Sequence, residues 1–147
     1  MQAQEIMARN PVTITPDAPV REAARLMQTE DIGVVPVVDD ATARRLVGVV
    51  TDRDLALRVV AAGLDATTRV RDVMTSSPKT VRDSASVDDV MKLMGSEKVR
   101  RVPVVDERGM LVGIVSQADI ILEGTNRGRT EQTLEQISTP GGKHSAS

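Results

Sequence analysis

The chain has 147 residues, 40% hydrophobic and 27% charged, with a formal net charge of −2, which suits one compact soluble domain or two small halves sharing a core. It contains no Phe, Trp, Tyr or Cys, so the core is aliphatic, and aromatic stacking platforms, disulfides, thiolate metal sites and Cys nucleophiles are excluded. The lack of a basic excess argues against nucleic-acid binding, and nothing reads as a signal peptide or a membrane span, so a cytoplasmic protein is expected.

In chain order, residues 12–15 read as a short strand. Pro16-Asp17-Ala18-Pro19 follows as a turn, in which Asp17 is expected to cap a helix and Pro19 to sit in its first turn. Val20, Ala23, Ala24 and Met27 have the i, i+3, i+4, i+7 spacing of one helix face. The β-branched runs at 34–38 and 46–50 read as buried strands joined in a hairpin. A second helix is expected from near Asp52. Residues 62–68, with Gly63, read as a linker, and 70–74 as a short helix.

The pattern then repeats. Residues 79–82 are a strand, Ser84 a candidate cap, and Val87, Val90, Met91 and Met94 a helix face. Runs at 102–105 and 110–115 form a second hairpin, and another helix begins near Gln117. Beyond Glu123 the apolar pattern fades. Residues 130–137 are expected to form one more helix, and 140–147 a turn-rich, mobile tail.

The repetition is in register. Met7 falls on Met74, Pro11 on Pro78, Thr13 on Thr80 and Val20 on Val87. Pro36-Val37-Val38-Asp39 falls on Pro103-Val104-Val105-Asp106. Gly48, Thr51 and Asp54 then match Gly113, Ser116 and Asp119, after a deletion in the loop where length changes are tolerated. The expected fold class is α/β (α+β), a tandem β-α-β-β-α repeat. The expected divisions are 1–68, 69–125 and a tail at 126–147.

The side chains offer little for catalysis. The one His, His144, is in the tail, so the common nucleophile–base pairs are missing. No cluster has metal-ligand spacing, and no GxGxxG or Walker phosphate loop occurs. Two-carboxylate chemistry stays formally open, but Asp54 and Asp119 hold equivalent places, which suggests two like binding sites instead of an acid and a base.

Each copy closes on one phrase, Gly48-Val49-Val50-Thr51-Asp52-Arg53-Asp54 and Gly113-Ile114-Val115-Ser116-Gln117-Ala118-Asp119. Thr51 and Ser116 are good helix caps, and an Asp three residues on completes a capping box. Free N–H groups at such a helix start also attract anions. Capping alone does not account for the repeated glycine or the repeated Pro-Val-Val-Asp. A carboxylate at a helix start is also placed to accept both hydroxyls of a ribose.

Over about residues 6–123 the chain resembles a CBS-domain pair, the Bateman module. The resemblance rests on the Met7/Pro11 and Met74/Pro78 pairs, the Val-Pro-Val-Val-Asp strands and the two Gly-x-x-Thr/Ser-x-x-Asp endings. Thr51-Asp52-Arg53-Asp54-Leu55 followed by Ala61-Ala62-Gly63 is similar to stand-alone bacterial CBS pairs, including the hypoxia-induced type of actinobacteria. The resemblance implies pseudo-two-fold symmetry and two clefts for adenosine compounds: AMP, ADP or ATP, with S-adenosylmethionine or NAD as alternatives.

By position, one cleft would use Asp119 for the ribose and Ser116 for ribose or phosphate, Ile114, Met7, Val12 and Ile32 around adenine, and Arg101 for phosphate. The other would use Asp54 and Thr51, with Val49, Met74, Lys79 and Val99 around the base. Val34 stands where the first cleft has Arg101, leaving Lys79 or Arg53 as a substitute cation and ranking the Asp119 cleft first. Arg100 and Arg101 read equally well as a surface pair. The resemblance further implies a homodimer through the Met- and Ala-rich faces (Ala23, Ala24, Met27, Met91, Met94), no catalytic cofactor, and an unidentified effector protein. Two rival readings remain: an interaction protein with no physiological ligand, and an enzyme acting on a nucleotide.

Overall fold

In the computed structural model, which describes residues 1–131, these patterns become twelve elements. They are α1 (Ala3–Ile6), β1 (Ala8–Arg9), α2 (Val20–Glu30), β2 (Val34–Val38), β3 (Leu46–Thr51), α3 (Asp52–Leu55), β4 (Thr75–Ser76), β5 (Val81–Arg82), α4 (Val87–Glu97), β6 (Arg101–Val105), β7 (Leu111–Ser116) and α5 (Gln117–Glu131). A π-helical turn, Ala56–Val60, extends α3, and a 3-10 turn, Val70–Asp72, opens the second copy. Both expected hairpins form: β2 pairs with β3 and β6 with β7, antiparallel, each with a register shift at the same place, Val37/Val38 and Val104/Val105.

The two copies exchange their leading segments. β1 of the first copy pairs with β7 of the second, Ala8 opposite Ile114, and β4 of the second pairs with β3 of the first, Thr75 opposite Val49. The sheets therefore read β1-β7-β6-β5 and β2-β3-β4. Backbone bonds repeat the exchange: Ala3 donates to the Ala85 carbonyl at 2.8 Å, and its counterpart Val70 to the Ala18 carbonyl at 2.9 Å. The hairpin turns also join, with Leu111 donating to the Arg44 carbonyl at 2.8 Å.

The core follows the same exchange. One cluster unites Val20, Ala23, Met27, Val35, Val37 and Val50 with Val70 and Val73 of the second copy. The other unites Val90, Met94, Val102, Val104 and Val115 with Ala3 and Met7 of the first. With no aromatic residue available, buried valines dominate, each contributing about 1.5–3 kcal/mol relative to exposure.

Several expected details differ. The strand over 12–15 shrinks to a single parallel bridge between Ile14 and Val37, and that over 79–82 to Val81–Arg82. Proline is the reason. Ile14 donates to the Pro36 carbonyl and accepts from Val38; the next donor in that ladder would be the Pro36 nitrogen, which has no hydrogen. Pro103 occupies the equivalent place in the second copy.

The helix caps move as well. Asp17 does not cap α2: Pro19 is the N-cap residue, outside the helix, and Asp17 pairs with Arg71 and Arg69 of the other copy. The Arg71 guanidinium, by hydrogen bond and charge, holds the Asp17 carboxyl below its ordinary range. Ser86, not Ser84, caps α4, accepting from the Asp89 N–H at 3.1 Å.

Ala24 and Met91 sit at equivalent helix positions and both are exposed, whereas Ala23, Met27 and Met94 are buried in the cores. The second helix of the first copy is a single α turn followed by the π turn, and 70–74 keeps only the 3-10 turn. α5 continues past Glu123 to Glu131. Apart from Thr130 and Glu131, which belong to α5, the helix expected over 130–137 and the tail at 140–147, with His144, lie outside the described residues.

Candidate functional site

Both closing phrases form capping boxes. The Asp54 N–H donates to Thr51 Oγ1 at 3.0 Å and the Thr51 N–H to Asp54 Oδ2 at 2.9 Å. In the second copy the Asp119 N–H donates to Ser116 Oγ at 3.1 Å and the Ser116 N–H to Asp119 Oδ2 at 3.0 Å. Each satisfies two otherwise orphaned backbone donors and fixes the carboxylate at a helix start, where negative charge is favoured.

The glycine and the Pro-Val-Val-Asp have structural causes of their own. A Cβ on Gly48 would lie 2.8 Å from both Met74 Sδ and the Thr75 carbonyl, and one on Gly113 would strike Met7 and lie 2.8 Å from the Ala8 carbonyl. Only glycine admits the exchanged segment at this distance. The terminal Asp of each Val-rich strand pins its hairpin turn: Asp39 Oδ1 accepts from Arg45 N–H, and Asp106 Oδ1 from Met110 and Arg108 N–H. Those two backbone donors hold the Asp106 carboxyl below the usual carboxylate range. Neither repeated feature therefore points to a ligand by itself.

The β6–β7 hairpin and the exchange together nevertheless gather most of the Asp119 group. Arg101 is opposite Ser116 across the β6–β7 ladder, Ala8 is opposite Ile114, and Met7 packs on Gly113. Ser116 is buried, while Asp119 and Arg101 are half-buried. Ile32 packs against the first-copy core, and Val12 is half-buried just outside the parallel bridge.

The Asp54 group is the mirror set. Val34 is opposite Thr51 and Thr75 opposite Val49, and Met74 packs on Gly48. Lys79 and Val99 are exposed, and among the described residues Lys79 makes no hydrogen bond to Asp54 or Thr51. Arg53 is exposed on the first turn of α3.

Two residues outside the sequence-based set bear on this group. Thr75 Oγ1 lies 3.4 Å from Asp54 Oδ2 and 3.5 Å from Oδ1, and Arg58 Nε lies 3.8 Å from Oδ1. Arg58 was legible as an i, i+4 partner of Asp54. Thr75 was not, because the strand exchange alone brings it there.

Among the described residues no group of three His, Cys, Asp or Glu side chains is placed to hold a metal, and no helix is long and apolar enough to cross a membrane.

Comparison with known proteins matches the CBS domain to residues 3–61 and again to 70–124. YlbB of Bacillus subtilis, an uncharacterised protein, is 41% identical over 119 residues, 81% of this chain and 79% of its own. Hypoxic response protein 1 of Mycobacterium tuberculosis is 37% identical over 119 residues, 80% of this chain and 81% of its own. Among solved structures, CBSX2 of Arabidopsis thaliana in complex with AMP is 32% identical, covering 87% of this chain and 98% of its own with a TM-score of 0.76. The CBS domain pair of MJ0100 in complex with 5′-methylthioadenosine and S-adenosylmethionine is 27% identical, covering 86% of this chain and 98% of its own with a TM-score of 0.74.

Proposed function

The chain belongs to the CBS-domain family, and from that premise we propose that it is a non-enzymatic regulatory module that binds an adenosine-containing ligand in clefts between its two copies. The observation that carries this is the Asp119 carboxylate. One of its oxygens is held by the Ser116 N–H, and among the described residues no side chain donates to the other. The carboxylate is thus aimed by its own cap and keeps acceptor capacity for ribose hydroxyls. The complexes of CBSX2 and MJ0100 with adenosine compounds support that ligand class.

In this reading Asp119 binds the ribose and Ser116 ribose or phosphate, Ile114, Met7, Val12 and Ile32 enclose the base, and Arg101 meets a phosphate. Asp54, Thr51, Val49, Met74, Lys79, Val99 and Val34 form the second, weaker cleft. The units are 1–68 and 69–125, with 126–147 as a tail. AMP, ADP or ATP is the ligand, in a cytoplasmic homodimer. Binding changes the relative orientation or rigidity of the copies, an effector protein or the dimer reads the change, and the signal cannot exceed the ligand's differential affinity for the two states.

The test is a thermal-shift and calorimetry panel of AMP, ADP, ATP, S-adenosylmethionine and NAD on wild type, Asp119→Asn and Asp54→Asn. Asparagine keeps an acceptor for the cap N–H and removes the charge. Ligand at a hundred times its dissociation constant adds about 2.7 kcal/mol of stability. The expected result is a shift in wild type that Asp119→Asn largely abolishes. No shift with any compound would replace this reading with that of an interaction module without a physiological nucleotide.

A further inference from the structure

The two carboxylates have the same cap and different company. Asp54 is only 8% exposed, and its oxygens face both Thr75 Oγ1 and Arg58 Nε. Arg58 is also anchored on its other side: Nη1 donates to the Val73 carbonyl at 3.0 Å and to the Met74 carbonyl at 3.2 Å. One guanidinium therefore ties the π turn of the first copy to the exchanged segment of the second, across the face of Asp54. Around Asp119 the matching positions are Ala8, from the exchanged segment of the first copy, for Thr75 and Glu123 for Arg58. Those two positions carry neither a hydroxyl nor a cation, so neither can stand in for a ligand on Asp119 as Thr75 and Arg58 do on Asp54.

We infer that Arg58 decides which cleft takes a ligand: with Thr75 it occupies the Asp54 carboxylate from within, closing that cleft and leaving the Asp119 cleft as the open one. The inference rests on the adenosine reading above and names the residue that makes the two sites unequal. A ribose binding Asp54 through both hydroxyls must displace Thr75 Oγ1 and Arg58 Nε. Moving Arg58 also strips a donor from two carbonyls, whose bonds are worth more than the half-exposed ion pair alone. The latch is built from the chain itself, so it acts at any ligand concentration.

The competing role for Arg58, a cation that recruits phosphate into the Asp54 cleft, predicts the opposite result on its removal. AMP, ATP and S-adenosylmethionine are each titrated by calorimetry into wild type, Arg58→Met, Asp119→Asn, Arg58→Met/Asp119→Asn and Arg58→Met/Asp54→Asn. Methionine keeps most of the stem and removes the guanidinium. Where Arg58→Met melts early, Arg58→Gln, which keeps a donor for the two carbonyls, is read in its place.

The expected result is one equivalent bound by wild type, weakened roughly tenfold or more by Asp119→Asn. Arg58→Met then binds a second equivalent, which survives Asp119→Asn and is lost with Asp54→Asn. Two equivalents of similar affinity in wild type would overturn the inference, as would a wild-type site that depends on Asp54. So would an Arg58→Met protein that binds no more than wild type, or less. In those cases an Asp119-dependent or Asp54-dependent site still leaves the adenosine reading standing. Binding to Arg58→Met but not to wild type supports the latch while removing Asp119 as the site. Absence of binding to every variant overturns both readings.

Discussion

Gly48→Ala tests whether the repeated glycine exists for the strand exchange. The new methyl would lie 2.8 Å from the Thr75 carbonyl oxygen and 2.8 Å from Met74 Sδ, whereas close carbon–oxygen contacts in sheets run at about 3.3–3.6 Å. The Met74 side chain can swing away. The carbonyl cannot, because Thr75 is held opposite Val49 in the β3–β4 pair. β4 must retreat by roughly 0.5 Å or more, and overpacking of this kind costs about 1–3 kcal/mol. The alanine returns about 0.4–1 kcal/mol by restricting the unfolded chain, leaving a net loss of up to about 2.6 kcal/mol. At about 2–4 °C per kcal/mol for a chain near this size, the midpoint falls by up to roughly 10 °C. Gly95→Ala is the control: it lies within α4, has nothing within 4 Å of the added Cβ, and gains about 0.5–1 kcal/mol. Far-UV circular dichroism is the assay, since the chain has no Trp or Tyr to report by fluorescence. If Gly48→Ala and Gly95→Ala both raise the midpoint, the packing explanation of the glycine is refuted.

Other outcomes follow from the caps and the hairpin turn. Ser86→Ala removes the acceptor for the Asp89 N–H and should cost about 1 kcal/mol in urea unfolding, whereas Ser84→Ala should stay within about 0.5 kcal/mol; equal losses would put the cap in the wrong place. Asp106 carries a depressed folded-state pKa because the Met110 and Arg108 N–H groups favour its charged form. Its contribution is therefore present above the ordinary Asp range and is lost as the pH falls through that range and below. Melting curves from neutral to acid pH should show Asp106→Ala less stable than wild type at neutrality, with the gap narrowing on acidification. A gap independent of pH would assign the loss to something other than the charged turn.

Much of this molecule was legible before any coordinates. The valine runs specified the hairpins, because a β-branched run bounded by turn residues has few other ways to bury itself. The in-register duplication specified that what happens at Thr51 and Asp54 happens again at Ser116 and Asp119. Two of the failures come from residues distant along the chain. Asp17 was a reasonable cap until Arg69 and Arg71 of the other copy claimed it. The strand over 12–15 was reasonable until Pro36, a residue of the partner strand, removed the donor its ladder needed.

The repeated glycine and aspartate show the division most plainly. Sequence alone determined that Gly48, Gly113, Asp39 and Asp106 recur, and that two capped carboxylates stand at equivalent helix starts. Only the tertiary structure decided why. The glycines admit a backbone from the other copy, the strand-end aspartates hold hairpin turns, and the carboxylates differ because Thr75 and Arg58 crowd one of them. Local spacing encodes a cap within four residues. It does not encode which segment of the other copy crosses the cap, because that depends on long-range pairing of strands two residues long. The Asp54 and Asp119 phrases are thus alike as sequence and unlike in their surroundings.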